Sequence, residues 1–316
     1  SYCSFSSSPI ADWKDQVDRY LDAMIKELKA TAKLMQGKPL DTVYIGGGTP
    51  TTLEADQLDR LLGTIRENFD LEHVLEFTVE AGRPDSITRE KLEVIRKYPV
   101  TRISVNPQTM QQKTLDLVGR KHTVEDVEQI FHLARELGFD NINMDLIVGL
   151  PGEDKAMVEN TLDEVRKLAP DSITVHSLAV KRAARLNIFK DKYQEMTFEN
   201  NQEIMDMTMK AAYELEMGPY YLYRQKNMKG NFENVGYAKV DKAGIYNILI
   251  MEEKQSIIAA GAGASTKIVL KNPIPMPGSK KKKMTRLIRQ ENVKAVDAYI
   301  SRIDEMIERK GEWLWH

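Results

Sequence analysis

From Thr42 to Ser177 the chain repeats one pattern, a short β-prone run followed by an amphipathic helical stretch. The runs are Thr42–Ile45, Val74–Val79, Arg102–Val105, Asn141–Val148 and Ser172–Ser177. Between them Ala55–Phe69, Thr88–Lys97, Thr123–Leu137 and Asp154–Leu168 read as helices, with apolar residues at helical spacing. Thr88 is placed as an N-cap, with Lys91 a poor N3 partner, and Gly138 as the glycine that closes its helix. Strand–helix–strand alternation builds a parallel sheet with crossover helices outside it, an α/β fold. The strands are short and mostly apolar, as expected when both faces are buried. Trp13–Met35 forms one more apolar-striped helix, stopped by Gly37 and Pro39. It has no strand before it, so the first strand is expected upstream of Ser1. A helix at Phe198–Leu215 and a sixth visible strand at Tyr220–Arg224 continue the series.

Beyond Arg224 the pattern changes. A polar, turn-rich segment leads to apolar runs at Ile245–Met251, Ile257–Gly263 and Ile268–Leu270. A Pro/Gly/Lys loop is expected from Lys271 to Lys283, and a closing helix over Glu291–Arg309. The expected division is residues 1–225 for the α/β part and 226–316 for a C-terminal α+β extension.

A formal net charge of −2 argues against a general nucleic-acid surface. The run Lys280–Lys283 reads as a solvated loop. No apolar stretch is long enough to span a membrane, and no leader pattern opens the chain. Cys3 is the single cysteine, which excludes an internal disulfide and fits a reducing, cytoplasmic setting.

The chemistry concentrates in Val43-Tyr44-Ile45-Gly46-Gly47-Gly48-Thr49-Pro50-Thr51. Consecutive glycines after a strand let the backbone turn sharply and approach a ligand with no Cβ in the way. The loop is neither a phosphate-binding P-loop nor a dinucleotide fingerprint. Gly46–Thr51 resembles the S-adenosylmethionine (SAM) loop of radical SAM enzymes. Tyr2-Cys3 resembles the end of their Cys-x₃-Cys-x-aromatic-Cys motif. Phe77–Ala81, Arg102–Gln108, Gly119–Thr123 and Asn143–Gly152 follow in that family's order. They resemble the branch that includes oxygen-independent coproporphyrinogen III dehydrogenase, also called oxidase. Arg224–Asn227 and Gly230–Tyr237 resemble a subgroup with an added N-terminal region.

The resemblance implies a partial (β/α)6 radical SAM barrel whose ligand site lies at the C-terminal strand ends. It implies Gly47, Gly48 and Thr49 along the methionine end of SAM, and Glu80, Gln108, Arg120 and Asp145 as polar contacts. An acidic residue suits the ribose hydroxyls or the amino group, and the planar guanidinium of Arg120 suits the carboxylate. The plain alternatives are a water-facing strand end for Glu80, an exposed helix-end charge for Arg120 and a turn for Gln108. Asp145 lies inside an apolar run, where an unpaired charge is costly. His122 reads as a structural histidine or a proton donor. Arg182 and Arg185 read as substrate cations or a solvated loop. No catalytic residue is assigned.

Cys3 is implied as the third thiolate of a 4Fe–4S cluster, with the other two ligands upstream of this chain. The chain is therefore expected to be truncated at its N-terminus and by itself inactive. For the parent, the resemblance implies conversion of two substrate propionates to vinyls, giving protoporphyrinogen IX. The implied partners are a porphyrinogen substrate and an unidentified electron donor. Phe5 stands where the dehydrogenase type carries a further cysteine, a feature shared with the haem-chaperone branch. That branch also carries a His-Asn-x-x-Tyr-Trp motif, whose nearest counterpart here, Tyr246–Met251, has neither His nor Trp. The dehydrogenase reading is therefore preferred to the chaperone.

Overall fold

A computed structural model describes residues 16–178, 200–223, 232–277 and 283–312. The chain divides into two units, one comprising Val43–Glu54 and Glu76–Ile245, the other Pro9–Thr42, Ala55–Leu75 and Tyr246–His316. Trp13, Arg182, Arg185, the segment Arg224–Asn231 and Lys280–Lys282 of the lysine run lie outside the described residues. No helix among the described residues is long and apolar enough to cross a membrane.

The first unit is built on a curled seven-stranded sheet. Its strands are β1 (Thr42–Ile45), β2 (Glu76–Gly82), β3 (Arg102–Val105), β4 (Ile142–Val148), β5 (Ser172–Ser177), β6 (Gly218–Tyr223) and β7 (Asn234–Ala238). Their spatial order is β1-β2-β3-β4-β5-β7-β6. Parallel pairing joins β2 to β3, β3 to β4 and β4 to β5. The sixth strand expected over Tyr220–Arg224 is displaced from its place beside β5. Instead β7 pairs antiparallel with both β5 and β6. Its sequence, Asn-Val-Gly-Tyr-Ala, carries little β signal. Its glycine is required all the same, because a Cβ on Gly236 would lie 2.1 Å from the ring of Tyr221 on β6.

The connecting helices follow the expected positions closely. They are α1 (Val17–Met35), α2 (Ala55–Asn68), α3 (Arg89–Arg96), α4 (Gln112–Leu117), α5 (Val124–Glu136), α6 (Lys155–Leu168) and α7 (Gln202–Glu214). Of these, α1 and α2 group with the second unit. Caps fix the starts: the Thr88 hydroxyl accepts from the Lys91 N–H at 3.2 Å, and Asp154 accepts from the Met157 N–H at 2.9 Å. Thr123 and Asp126 form a reciprocal capping box. Gly138 ends α5 with φ +86°, donating its N–H to Arg135.

The strands themselves differ from the expectation of two apolar faces. Along β2, β3, β4 and β5 polar and apolar side chains alternate, apart from Ile147 and Ser177. One face carries Glu76, Thr78, Glu80, Arg102, Ser104, Asn143, Asp145, Ser172, Thr174 and His176. The other carries Phe77, Val79, Ile103, Val105, Met144, Leu146, Ile173 and Val175, all buried. Register makes the polar side chains neighbours: Thr78 pairs with Arg102, Ser104 with Asn143, Asn143 with Ser172 and Asp145 with Thr174. A polar face this well buried must satisfy itself internally or face a ligand.

In the second unit α8 (Ile245–Glu252) is followed by a hairpin of β8 (Ser265–Pro275) and β9 (Met284–Glu291), then α9 (Val296–Ser301) and α10 (Ile303–Gly311). The loop expected from Lys271 is occupied as far as Pro275 by β8. The single closing helix expected over Glu291–Arg309 is also corrected. Glu291 ends a strand, and residues 292 and 293 are held extended by Ala264 and Gly263 backbone bonds of 2.9 and 2.8 Å. Arg302, at φ −112°, then separates α9 from α10.

Candidate functional site

The glycine loop leaves the end of β1, and each glycine answers to a different constraint. A Cβ on Gly46 would lie 2.6 Å from a Glu80 carboxylate oxygen and 2.6 Å from the Tyr44 ring. Gly47 has φ +93°, a conformation L side chains avoid. Gly48 has neither restriction, since a Cβ there would meet nothing within 4 Å. Its missing side chain leaves space that the described residues do not fill. Thr49 follows in an extended conformation, its methyl against Gly82. Thr51 is fully buried, and its hydroxyl donates to the Ala81 carbonyl at 2.5 Å. Lys91 runs beneath this turn and donates to the Thr51 carbonyl at 2.8 Å. The loop is thus clamped at its far end and open at Gly48.

Glu80, near the end of β2, receives the Tyr44 hydroxyl and the Gly47 N–H, the latter at 3.3 Å. Burial pushes its carboxyl above the ordinary range, with Asp145 adding to the rise and Tyr44 opposing it. Tyr44 is itself pushed up by burial and by Glu80, so its hydroxyl stays a donor. Asp145 goes the other way. Burial would raise it, but His176, with Asn143 and Arg102, holds its carboxyl below the usual range. Its Oδ1 accepts from the Asn143 amide at 2.8 Å, and His176 Nε2 lies 3.8 Å from its Oδ2. Two carboxylates on one polar face therefore have different tendencies to hold a proton.

Gln108 is more than a turn. Its backbone sits at φ +70°, costly for a residue with a Cβ, on the order of 1 kcal/mol. The conformation is held from both sides by β4: Gln108 N–H donates to the Asp145 carbonyl at 3.0 Å, and Ile147 N–H donates to the Gln108 carbonyl at 2.8 Å. Asn106 completes the clasp by accepting from the Asp145 N–H at 3.2 Å. Strain of this kind concentrates where a chain positions a functional group.

Thr109 is anchored in turn by the buried carboxyl of Glu153, to which its hydroxyl donates at 2.6 Å. Burial raises Glu153 above the ordinary carboxyl value, against the Thr109 and Thr114 hydroxyls. An acid raised in the folded state binds its proton more tightly there than in the unfolded chain. Its contribution is fullest below the unfolded value, about 4.3, and is lost as pH rises through the folded one. Glu153→Gln is therefore expected to flatten the fall in stability toward alkaline pH. Denaturant melts at pH 5 and pH 8 check this, and parallel losses in both proteins would refute it.

Arg120 stands half-buried in the loop after α4, near His122, and its charge disfavours the imidazolium. His122 is fully buried, with Nε2 donating to the Pro107 carbonyl at 3.3 Å. Burial, then Arg120, lowers it, which makes it a neutral structural histidine that supports the Asn106–Gln108 turn. The structure thus joins Gly47 to Glu80 and Gln108 to Asp145 through hydrogen bonds, while the charge of Arg120 bears on His122. Cys3 lies outside the described residues. Among the described residues no group of three His, Cys, Asp or Glu side chains could hold a metal ion.

Sequence reasoning missed Tyr44, Arg102, Asn106, Asn143 and His176 as members of this constellation. The signal was present: β2, β3 and most of β4 and β5 alternate polar and apolar residues with period two, and Arg102, Asn143 and His176 fall on the polar phase.

A glycine loop after a strand of a curled, mostly parallel sheet, with carboxylates on β2 and β4 of one polar face, defines a protein of the partial α/β-barrel class. Residues 1–165 match the model of the Radical SAM superfamily, and the chain belongs to that superfamily. The membership implies a 4Fe–4S cluster and SAM as cofactors. The chain is 43% identical over 272 residues to the oxygen-independent coproporphyrinogen-III oxidase-like protein HemZ of Bacillus subtilis, covering 85% of this chain and 54% of that one. It is 37% identical over 184 residues to the heme chaperone HemW of Bacillus subtilis, covering 57% and 47% respectively. The chain spans about half the length of these curated relatives. The solved structure of coproporphyrinogen III oxidase (HemN) from Escherichia coli matches with a TM-score of 0.69 at 22% identity. That match covers 92% of this chain and 63% of that one, and shows a shared fold.

Proposed function

We propose that the polar strand-end face binds SAM and that the parent protein acts on a porphyrinogen. The observation that carries the reading is the pairing of open space at Gly48 with the half-buried carboxylates Glu80 and Asp145. These residues fit the group: the glycines admit a chain with no Cβ in its path, and the carboxylates can accept from an ammonium or a ribose diol. Gly47, Gly48 and Thr49 line the methionine end. Asp145, held anionic, and Glu80 supply acceptors, Gln108 fixes the turn between them, and Arg120 offers its guanidinium to the SAM carboxylate. Cys3 contributes one thiolate to the cluster. When bound, cluster and SAM together supply a carbon-centred radical able to abstract hydrogen. The chain's own part is to orient SAM and exclude water.

The substrate reading rests on the HemZ and HemN likenesses, with propionate-to-vinyl conversion of coproporphyrinogen III as the reaction. The experiment is anaerobic turnover of coproporphyrinogen III by the full-length, cluster-reconstituted protein, followed by porphyrin chromatography. Protoporphyrinogen formation with matched SAM cleavage is expected. SAM cleavage with no vinyl product would overturn the substrate assignment, and stoichiometric haem binding in its place would favour the chaperone function named for HemW.

A further inference from the structure

Behind Asp145 the polar face carries a chain of donors that begins on a buried cation. Arg102, the first residue of β3, is 3% exposed. Its Nη2 donates to the Ser172 hydroxyl at 3.3 Å. Ser172 Oγ donates to Asn143 Oδ1 at 3.0 Å, and Asn143 Nδ2 donates to Asp145 Oδ1 at 2.8 Å. The links cross three strands, from β3 to β5 to β4, whose register sets Ser172 beside Asn143.

Every orientation in this chain is forced. Ser172 accepts from a guanidinium that has no acceptor, so its single proton is free only for Asn143. Asn143 Oδ1 receives a second hydroxyl, from Thr174 at 3.3 Å. The reversed amide would set Asn143 Oδ1 against the Asp145 carboxylate and its NH₂ against two hydroxyls. The amide nitrogen must therefore face Asp145. All donors point the same way, from cation to carboxylate, an arrangement in which each bond polarises the next.

We propose that Arg102, Ser172 and Asn143 act as positioning residues, a one-way donor chain that delivers the field of a buried guanidinium to Asp145 and fixes the orientation of its carboxylate toward the ligand. The ligand part rests on the SAM reading given above; the donor chain itself does not. The other groups that bear on Asp145 are Tyr44 from β1, Glu80 from β2, His176 from β5 and Tyr221 from β6. Of these, Glu80 opposes the ionised form and His176 favours it. The chain adds a second favourable influence at Oδ1, whereas His176 lies against Oδ2.

Two substitutions separate this role from packing. Asn143→Asp keeps an acceptor for Ser172 and Thr174 and removes the donor to Asp145. It also sets a second carboxylate beside Asp145, so its upward shift alone supports nothing and Ser172→Ala carries the test. Ser172→Ala breaks the link to Arg102 with the loss of one oxygen atom. The measurement is the titration of the Asp145 carboxyl by carbon-13 NMR in protein labelled at aspartate, with Asp145→Asn used to assign the resonance. The Asp145 titration is expected to move upward by about one pH unit or more in Asn143→Asp and by less in Ser172→Ala. Melting curves show that each variant is folded. An Asp145 titration unchanged in a folded variant overturns the proposal. Calorimetry with SAM on the reconstituted protein gives the second readout. Binding weakened severalfold by Ser172→Ala, with its pH profile displaced in step with Asp145, supports the link to the ligand. A displaced titration in a wild-type protein that does not bind SAM would sink the SAM reading and leave the donor chain standing.

Discussion

Lys310→Met is expected to lower stability by about 3–5 kcal/mol, the largest effect of any single substitution considered for this chain. Lys310 is 2% exposed and Glu27 is fully buried, with their charged atoms 2.6 Å apart. Burial depresses the Lys310 ammonium, and Glu27 opposes that shift. Glu27, on α1, also receives the Gly261 N–H at 2.9 Å, the Asn292 amide at 2.8 Å and the Tyr299 hydroxyl. Lys310 on α10 donates to the Ala259 carbonyl at 2.6 Å. One carboxylate thus ties together α1, the 259–264 segment, the end of β9, α9 and α10. Removing the lysine leaves a buried anion without its counter-charge. Replacing both partners with apolar residues is often harmless elsewhere. Here it removes the acceptor of the Gly261 N–H and the Tyr299 hydroxyl and one of two acceptors of the Asn292 amide, so Glu27→Leu combined with Lys310→Met should remain destabilised by about 2 kcal/mol or more. Chemical denaturation of the three proteins checks both statements, and a near-neutral Lys310→Met would contradict them.

The second large effect separates two adjacent glycines. Gly46→Ala places a methyl group 2.6 Å from both the Glu80 carboxylate and the Tyr44 ring. One of them must move, at about 1–3 kcal/mol, and the Tyr44–Glu80 hydrogen bond is disturbed. Gly46→Ala should therefore lose stability and ligand affinity together. Gly48 has space around it and no left-handed backbone. Gly48→Val should leave the melting temperature near wild type while obstructing whatever approaches the loop. Equal stability losses in the two variants would show that the space beside Gly48 is not open in solution.

Much of this architecture was legible in the residues. Thr42–Ile45, Arg102–Val105 and Ser172–Ser177 fall where β-prone runs placed them, because each is bounded by turn residues or by capped helices. Thr88, Thr123, Asp154 and Gly138 mark helix ends through local hydrogen bonds that need no tertiary information. The misreadings arose where distant partners decide. Asn234–Ala238 is a strand because β5 and β6 flank it, with Gly236 making room for Tyr221. Residues 292 and 293 stay out of a helix because the 261–264 segment holds them. The glycine loop and the Glu80, Gln108 and Asp145 positions were visible as motifs. The left-handed backbone of Gln108 and the donors behind Asp145 depend on register across three strands, which local sequence does not encode.

The proposed SAM site pairs the open loop at Gly48 with the two strand-borne carboxylates. Isothermal calorimetry of SAM binding to the cluster-reconstituted protein, wild type against Gly48→Val, tests it most directly. The account predicts saturable binding by the wild type and at least a tenfold loss, about 1.4 kcal/mol, in Gly48→Val at unchanged melting temperature. Equal affinity in the two proteins would contradict it.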